Sequence, residues 1–134
     1  MKRRITKALM ATLPLAGVFA LLSAMPADQV ITREDGHVVV NTTTLGRNVK
    51  GYNDTTPLKI HIQNGKILKI DALKNLETPK YFAKVKQELL PKWNGKTVKQ
   101  AGKMKVDGVT GATYSSEAVI KNVKLGLDYY KRNK

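Results

Sequence analysis

The dipeptide Asn64-Gly65, which separates two runs of alternating apolar and polar residues, constrains the fold more than any other feature of the sequence. Leu58 to Gln63 precedes it, and Lys66 to Leu73 follows it. Asn-Gly favours the tight turn that joins two antiparallel strands, because both residues tolerate a positive φ angle. The pattern predicts a hairpin with one buried and one exposed face, and it places His61 on the exposed face.

A second hairpin is predicted closer to the N-terminus. Asp35-Gly36 lies there between two apolar runs, Val30-Ile31 and Val38 to Val40, and Asp-Gly is a typical hairpin turn. The β-branched residues Thr42 to Thr44 predict that the second strand is extended. Met104 to Val106 predicts a further short strand before the C-terminal third of the chain.

A first helix is predicted to begin at Thr78-Pro79, because threonine is a good cap and proline a good first helical residue. An apolar stripe of Phe82, Val85 and Leu89, joined by Tyr81, continues this helix, and Pro91 is predicted to end it. Thr97 to Ala101 predicts a short helical segment.

A longer helix is predicted at the C-terminus, where apolar residues recur at helical spacing from Ser116 onward. Ser115 or Ser116 is available to cap its first turn. Taken with the two hairpins, these helices predict an α+β fold in which a small antiparallel sheet is covered by helices.

Residues 1–27 have the features of a targeting segment. A basic start is followed by an uncharged apolar stretch from Ala8 to Ala27. This stretch predicts either a cleaved signal peptide or an N-terminal membrane anchor. Both alternatives place the remaining residues, 28–134, outside the cytoplasm as one domain.

The composition excludes several functional classes. The chain contains no cysteine, which excludes disulfides and thiolate metal sites, and its two histidines and sparse carboxylates predict neither a hydrolytic triad nor a metal cluster. The net charge of +14 fits a solvated, lysine-rich surface or attraction to anionic lipid. Scarce arginine and the lack of a recognition motif argue against nucleic acid as a partner.

Hydroxyl residues and glycines are concentrated directly before the C-terminal helix. The stretch is Asp107-Gly-Val-Thr110-Gly111-Ala112-Thr113-Tyr114-Ser115-Ser116. A helix N-terminus presents backbone N–H groups that bind phosphate. Gly111 has no Cβ and therefore lets a phosphate approach the backbone closely. The sequence predicts an anion site beside Thr113.

The pattern Asp-x-x-Thr-Gly-Ala-Thr in this stretch resembles the flavinylation motif of FMN-binding domains. That family is related to the peripheral subunits of sodium-pumping quinone reductases and of the Rnf complex. The resemblance implies that a flavin transferase, with FAD as the donor, joins FMN through its phosphate to Thr113. Asp107 is assigned to recognition by the transferase or to positioning of Thr113. The other implied site residues are Thr110, Gly111 and Ala112 in the motif and Tyr114, Ser115 and Ser116 directly after it.

Two upstream segments extend the resemblance. Gly51 and Tyr52 match a glycine–aromatic pair that contacts the flavin in the family, although an ordinary loop with Tyr52 covering the core is an equal alternative. Glu77 and Thr78 begin a Glu-Thr-Pro segment that lacks the family's following glycine. For Glu77 and Thr78 the two alternative roles are contact with the flavin and capping of the helix. Trp93 is expected in the core, with stacking on a flavin as its alternative.

The resemblance implies an exported electron carrier with covalent FMN, a membrane redox partner and no independent catalysis. FMN supplies the redox chemistry in such a domain, and the protein supplies attachment and orientation. Two alternatives remain open. The same fold can bind FMN without a covalent bond, or it can be a cofactor-free, basic membrane-surface or adhesion module.

Overall fold

The computed structural model describes residues 29–134, so the predicted leader at 1–27 lies outside the described residues. Four strands form one antiparallel sheet in the order β1-β2-β3-β4. Their bounds are Ile31–Glu34 (β1), His37–Asn41 (β2), Leu58–Gln63 (β3) and Lys66–Ala72 (β4). Three α-helices follow, at Pro79–Lys84 (α1), Val98–Lys103 (α2) and Thr113–Asn133 (α3). The predicted α+β class is confirmed.

Both predicted hairpin turns are present. Asp35 and Gly36 have φ angles of 48° and 82°, and Asn64 and Gly65 have φ angles of 52° and 75°. Two consecutive positive φ angles are the backbone of the turn that matches the twist of paired strands. Each turn therefore sets the register of its hairpin, with Glu34 opposite His37 in the first and Gln63 opposite Lys66 in the second.

The core lies between one face of the sheet and helix α3. Ile60 and Ile62 on β3 and Val119, Val123 and Leu127 on α3 are all essentially inaccessible to solvent. The helix approaches the sheet closely at Gly126, where a Cβ atom would lie 2.6 Å from Ile60 Cδ1. Trp93 is 2 % exposed and belongs to the same core, which confirms its expected core position rather than the stacking alternative.

Two predictions of strand structure are wrong. Strand β2 ends at Asn41 instead of continuing through Thr42 to Thr44, because the buried Thr42 hydroxyl accepts a hydrogen bond from the Leu58 N–H at 2.9 Å. Met104 to Val106 is irregular rather than a strand. The short chain segment there connects α2 to the turn before α3, so its β propensity finds no strand partner.

One predicted helix boundary is also wrong. Pro91 does not end the first helix, because α1 continues through a π-helical turn at Val85–Leu89 and a 3₁₀ turn at Leu90–Trp93. Pro91 occupies the first turn of that 3₁₀ segment, where a missing N–H is tolerated. Thr97, in contrast, caps α2 in a reciprocal pair with Gln100, and this confirms the predicted short helix.

His61 is buried, with 6 % of its surface exposed, although strand alternation predicted an exposed position. Its ring is covered because polar side chains of neighbouring strands bond to it, as described below. Within residues 29–134, no helix is both long enough and apolar enough to cross a membrane.

Candidate functional site

The turn before α3 is held by backbone and side-chain hydrogen bonds. Val109 O accepts from the Ala112 N–H at 2.9 Å, and the Val109 N–H donates to Ser116 Oγ at 2.9 Å. Gly111 has a φ angle of 87°, and a Cβ atom placed there would meet open space. Gly108 allows Ser116 to come near, since a Cβ at Gly108 would lie 2.9 Å from Ser116 Cβ. The turn is therefore tied to the first turn of the helix.

Helix α3 begins at Thr113, earlier than the sequence predicted, and the residue before it is Ala112. Ser115 and Ser116 therefore lie inside the helix, and the prediction that one of them caps it is wrong. Among the residues that the structure describes, no side chain accepts a hydrogen bond at the cap of this helix. The N–H groups of its first turn consequently remain available to an anion. Thr113 is exposed at this position.

An open cleft of about 510 Å³ lies at this helix start. Its volume falls within the roughly 300–1,000 Å³ typical of small-molecule sites. The cleft is lined by Tyr52, Thr78, Tyr81, Gly111, Ala112, Thr113, Tyr114 and Ser115. All of these except Tyr81 were predicted site residues, and the fold brings them together from three separate segments of the chain.

Exposed tyrosine rings flank the cleft. Tyr52 and Tyr114 are 70 % and 64 % exposed, and their ring centroids lie 6.2 Å apart at an angle of 33°. Large exposed aromatic surfaces of this kind mark ligand or partner sites, because their burial by a partner removes apolar area from water. Tyr52 does not cover the core, which was one of its two predicted roles. The structure leaves its ring available to a flat ligand.

Tyr81 is the cleft residue that sequence reasoning missed, since it was assigned to the apolar stripe of the first helix. It is 45 % exposed and lines the cleft together with Thr78. The spacing of three residues between Thr78 and Tyr81 puts both on one side of a helix. That spacing was the available signal for its position.

Glu77 is buried behind the cleft, with 4 % of its surface exposed. Its carboxylate accepts hydrogen bonds from the backbone N–H groups of Tyr52 (2.8 Å), Asn53 (2.7 Å) and Asp54 (3.1 Å). It also accepts a hydrogen bond from the Ser115 hydroxyl. One carboxylate therefore joins the loop that carries Tyr52 to the first turn of α3.

The same network determines the charge of Glu77. Burial raises the pKa of the carboxyl, but the hydrogen bonds from Ser115 and from the three loop N–H groups lower it by more, so the pKa lies below its ordinary value. Gly51 is required for this arrangement, because a Cβ atom there would collide with Glu77 Oε1 and lie 3.0 Å from its Cδ. Glu77 and Gly51 support the wall of the cleft and do not line it.

The remaining predicted residues occupy distinct places. Thr78 precedes α1 as its cap residue, as predicted, although the cap is made without a hydrogen bond from its side chain. Ser116 is buried and holds the turn through Val109. Asp107 and Thr110 are exposed on the turn and outside the cleft lining, so their role in recognition by a transferase stays a prediction.

The residues present fit the phosphate and ring of FMN. The free helix start and the open space at Gly111 suit a phosphate, and the tyrosine rings suit a flat aromatic system. The polar and aromatic halves lie in the same cleft.

Comparison with known proteins agrees with this fit. The sequence model of the FMN-binding domain family matches residues 51–128, which is more than half of the chain and runs from Gly51 past the Thr113 motif. No curated protein matches the chain, and no solved structure matches it. On the strength of the family match, the chain belongs to the FMN-binding domain family and contains a flavin-binding module.

Proposed function

We propose that this domain carries FMN covalently on Thr113 and relays electrons at the outer face of a cell membrane. One observation carries the proposal. Thr113 is an exposed hydroxyl residue at the first position of an uncapped helix, on the wall of a cleft that also holds Tyr52 and Tyr114. A phosphate bonded to Thr113 Oγ1 would lie beside free helix N–H groups, and its ring would lie within reach of the tyrosines.

The attachment is a transfer from FAD by a flavin transferase. Thr113 Oγ1 forms a bond to the phosphorus of the FMN half, and the bond from that phosphorus to the bridging oxygen of the pyrophosphate breaks. AMP leaves with the bridging oxygen, and the hydroxyl proton passes to a base of the transferase or to solvent. The product is a phosphoester on Thr113.

The chain's own residues then hold and orient the cofactor. The first-turn N–H groups of α3 balance part of the phosphate charge, and Gly111 leaves room for it. Glu77 holds the Tyr52 loop against α3. When bound, FMN would supply reversible electron transfer.

Export and membrane association rest on the sequence of residues 1–27, which combines a basic start with an apolar stretch. A covalent bond suits an exported carrier, because a cofactor that dissociates outside the cell is lost. We propose a membrane redox protein as the partner. The strong positive charge of the chain supports additional contact with anionic lipid.

The test is the intact mass of the protein produced together with a flavin transferase. We expect a gain of one FMN less one water, with fragment spectra locating it on Thr113. Thr113→Val keeps the shape of the side chain but removes the hydroxyl, and it should remain unmodified. Thr44→Ala, which removes a hydroxyl outside the motif, should be modified like the parent.

Two outcomes would overturn the covalent proposal. An unmodified protein that keeps yellow colour through denaturant-free desalting, and loses it on unfolding, binds FMN non-covalently. An unmodified, colourless protein that binds anionic vesicles in a salt-dependent way is a surface module instead.

A further inference from the structure

A second polar cluster lies on the sheet face opposite α3, away from the flavin cleft. His37 and His61 are the two histidines of the chain, and the structure brings His37 Nε2 to 2.8 Å from His61 Nδ1. His61 is paired with Val39 across β2 and β3, so His37 is its diagonal neighbour on the same face. Ile60, next to His61 in β3, points to the opposite face and packs under α3.

Asp71 completes the cluster. Its Oδ2 atom lies 3.0 Å from His61 Nε2, and Lys69 Nζ lies 3.4 Å from the same oxygen. With its proton on Nε2, His61 donates to the Asp71 carboxylate, and its Nδ1 then carries a lone pair directed at His37. In this arrangement the Asp71 carboxylate favours the His61 tautomer that has its proton on Nε2.

We propose that His61 Nδ1 and His37 Nε2 together bind a divalent transition-metal ion of the zinc type, with Asp71 as the carboxylate that orients His61. Imidazole nitrogen is a preferred ligand of Zn²⁺, Cu²⁺ and Ni²⁺. Metal-bound histidines usually donate their other ring N–H to a carboxylate or carbonyl, and the Asp71–His61 pair already has that arrangement.

Binding replaces the hydrogen bond between the two rings. The proton of His37 moves from Nε2 to Nδ1, which frees a lone pair on Nε2, and no proton is lost from the protein. With zinc–nitrogen distances of about 2.0–2.1 Å and tetrahedral angles, the two nitrogens must lie about 3.3 Å apart. They are 2.8 Å apart without metal. His37, half-buried beside the first hairpin turn, is the ring that has to swing aside.

The site is a two-ligand site. Within the described part of the chain, no group of three or more histidine, aspartate or glutamate side chains is placed to hold a metal. Water therefore completes the coordination shell. A site with two protein ligands binds Zn²⁺ more weakly than a structural zinc site with four protein ligands. Its water-occupied positions remain free for ligand exchange.

The test is calorimetric titration of the untagged protein with ZnCl₂, with MgCl₂ as the ion that does not favour imidazole. We expect one Zn²⁺ per chain and no comparable binding of Mg²⁺. His37→Gln should weaken Zn²⁺ binding at least about tenfold, because the loss of a direct ligand should cost no less than the loss of a residue that only orients one. Asp71→Asn should weaken it by about 10- to 100-fold without removing a ligand.

Asp128→Asn is the matched control. Asp128 is an exposed aspartate paired with a lysine, as Asp71 is, and its loss should leave Zn²⁺ binding unchanged. Circular dichroism of His37→Gln and Asp71→Asn verifies that both variants are folded. Equal Zn²⁺ affinity in the parent and in folded His37→Gln, or equal weakening by Asp71→Asn and Asp128→Asn, would overturn the proposal. Either result would assign the binding to groups other than this histidine pair.

Discussion

The polar networks around Glu77 and around His61 are held in different ways. Behind the cleft, Glu77 is held by three backbone N–H groups and one hydroxyl. On the sheet face, His61 is held by two side chains, His37 and Asp71. Backbone donors cannot leave without moving the chain, whereas a side chain can rotate away. The Glu77 network therefore fixes the position of a loop, whereas the His61 network can exchange a partner.

The largest effect is expected when the carboxylate at the centre of the first network is removed. Glu77→Ala leaves three loop N–H groups and the Ser115 hydroxyl without their acceptor, and should lower the free energy of unfolding by about 3 kcal/mol. Urea denaturation measures this, with the exposed Glu88→Ala as the control that should change stability by less than about 0.5 kcal/mol. Equal losses in the two variants would show that the Glu77 network contributes no special stability.

A smaller effect is expected from Gly51→Ala, which brings a Cβ atom against Glu77 Oε1. Forcing the carboxylate and the loop apart should cost about 1–3 kcal/mol. Gly36→Ala is a useful contrast, because a Cβ there meets open space and only the positive φ angle is unfavourable, at about 1 kcal/mol. Denaturation of the two variants, together with retention of FMN, separates crowding at the cleft from backbone strain in a remote turn.

The protonation of Glu77 gives a third, pH-dependent effect. Its pKa is lowered in the folded state from the ordinary value of 4.5, so its stabilising contribution is complete above that value and is lost as the pH falls through the lower, folded pKa. Asp54 also has a lowered pKa, through the Thr55 N–H and Lys50. The difference between the parent and Glu77→Gln therefore isolates Glu77, and it should shrink on acidification below about pH 4.5. A difference that is constant with pH would contradict this assignment.

The smallest effect is expected at the second network. Asp71 is about half exposed, and its bonds to His61 and Lys69 are partly solvated, so Asp71→Asn should change stability by less than about 1 kcal/mol. Thermal unfolding without added metal measures this. A loss as large as that of Glu77→Ala would mean that the sheet-face network is as rigid as the loop network, and the contrast between the two would fail.

Sequence predictions were correct where the structure depends on neighbouring residues and wrong where it depends on tertiary packing. The two hairpins were predicted correctly, because Asp35-Gly36 and Asn64-Gly65 satisfy a local backbone requirement. The end of the first helix was predicted wrongly, because the chain continues through π and 3₁₀ turns around Pro91. The continuation is stabilised because Val85, Leu89 and Trp93 pack in the core. A local stop signal such as proline carries no information about that packing.

The sequence by itself determined the hairpin turns, the family and the presence of a helix after the Thr113 motif, because each depends on neighbouring residues and a motif of fixed spacing. Only the tertiary structure decided three contacts. Glu77 accepts hydrogen bonds from the Tyr52 loop, Tyr81 lines the cleft, and His37 lies within hydrogen-bonding distance of His61. These contacts join residues far apart in the chain. Their geometry follows from how the sheet and helices pack, which no local pattern of residues specifies.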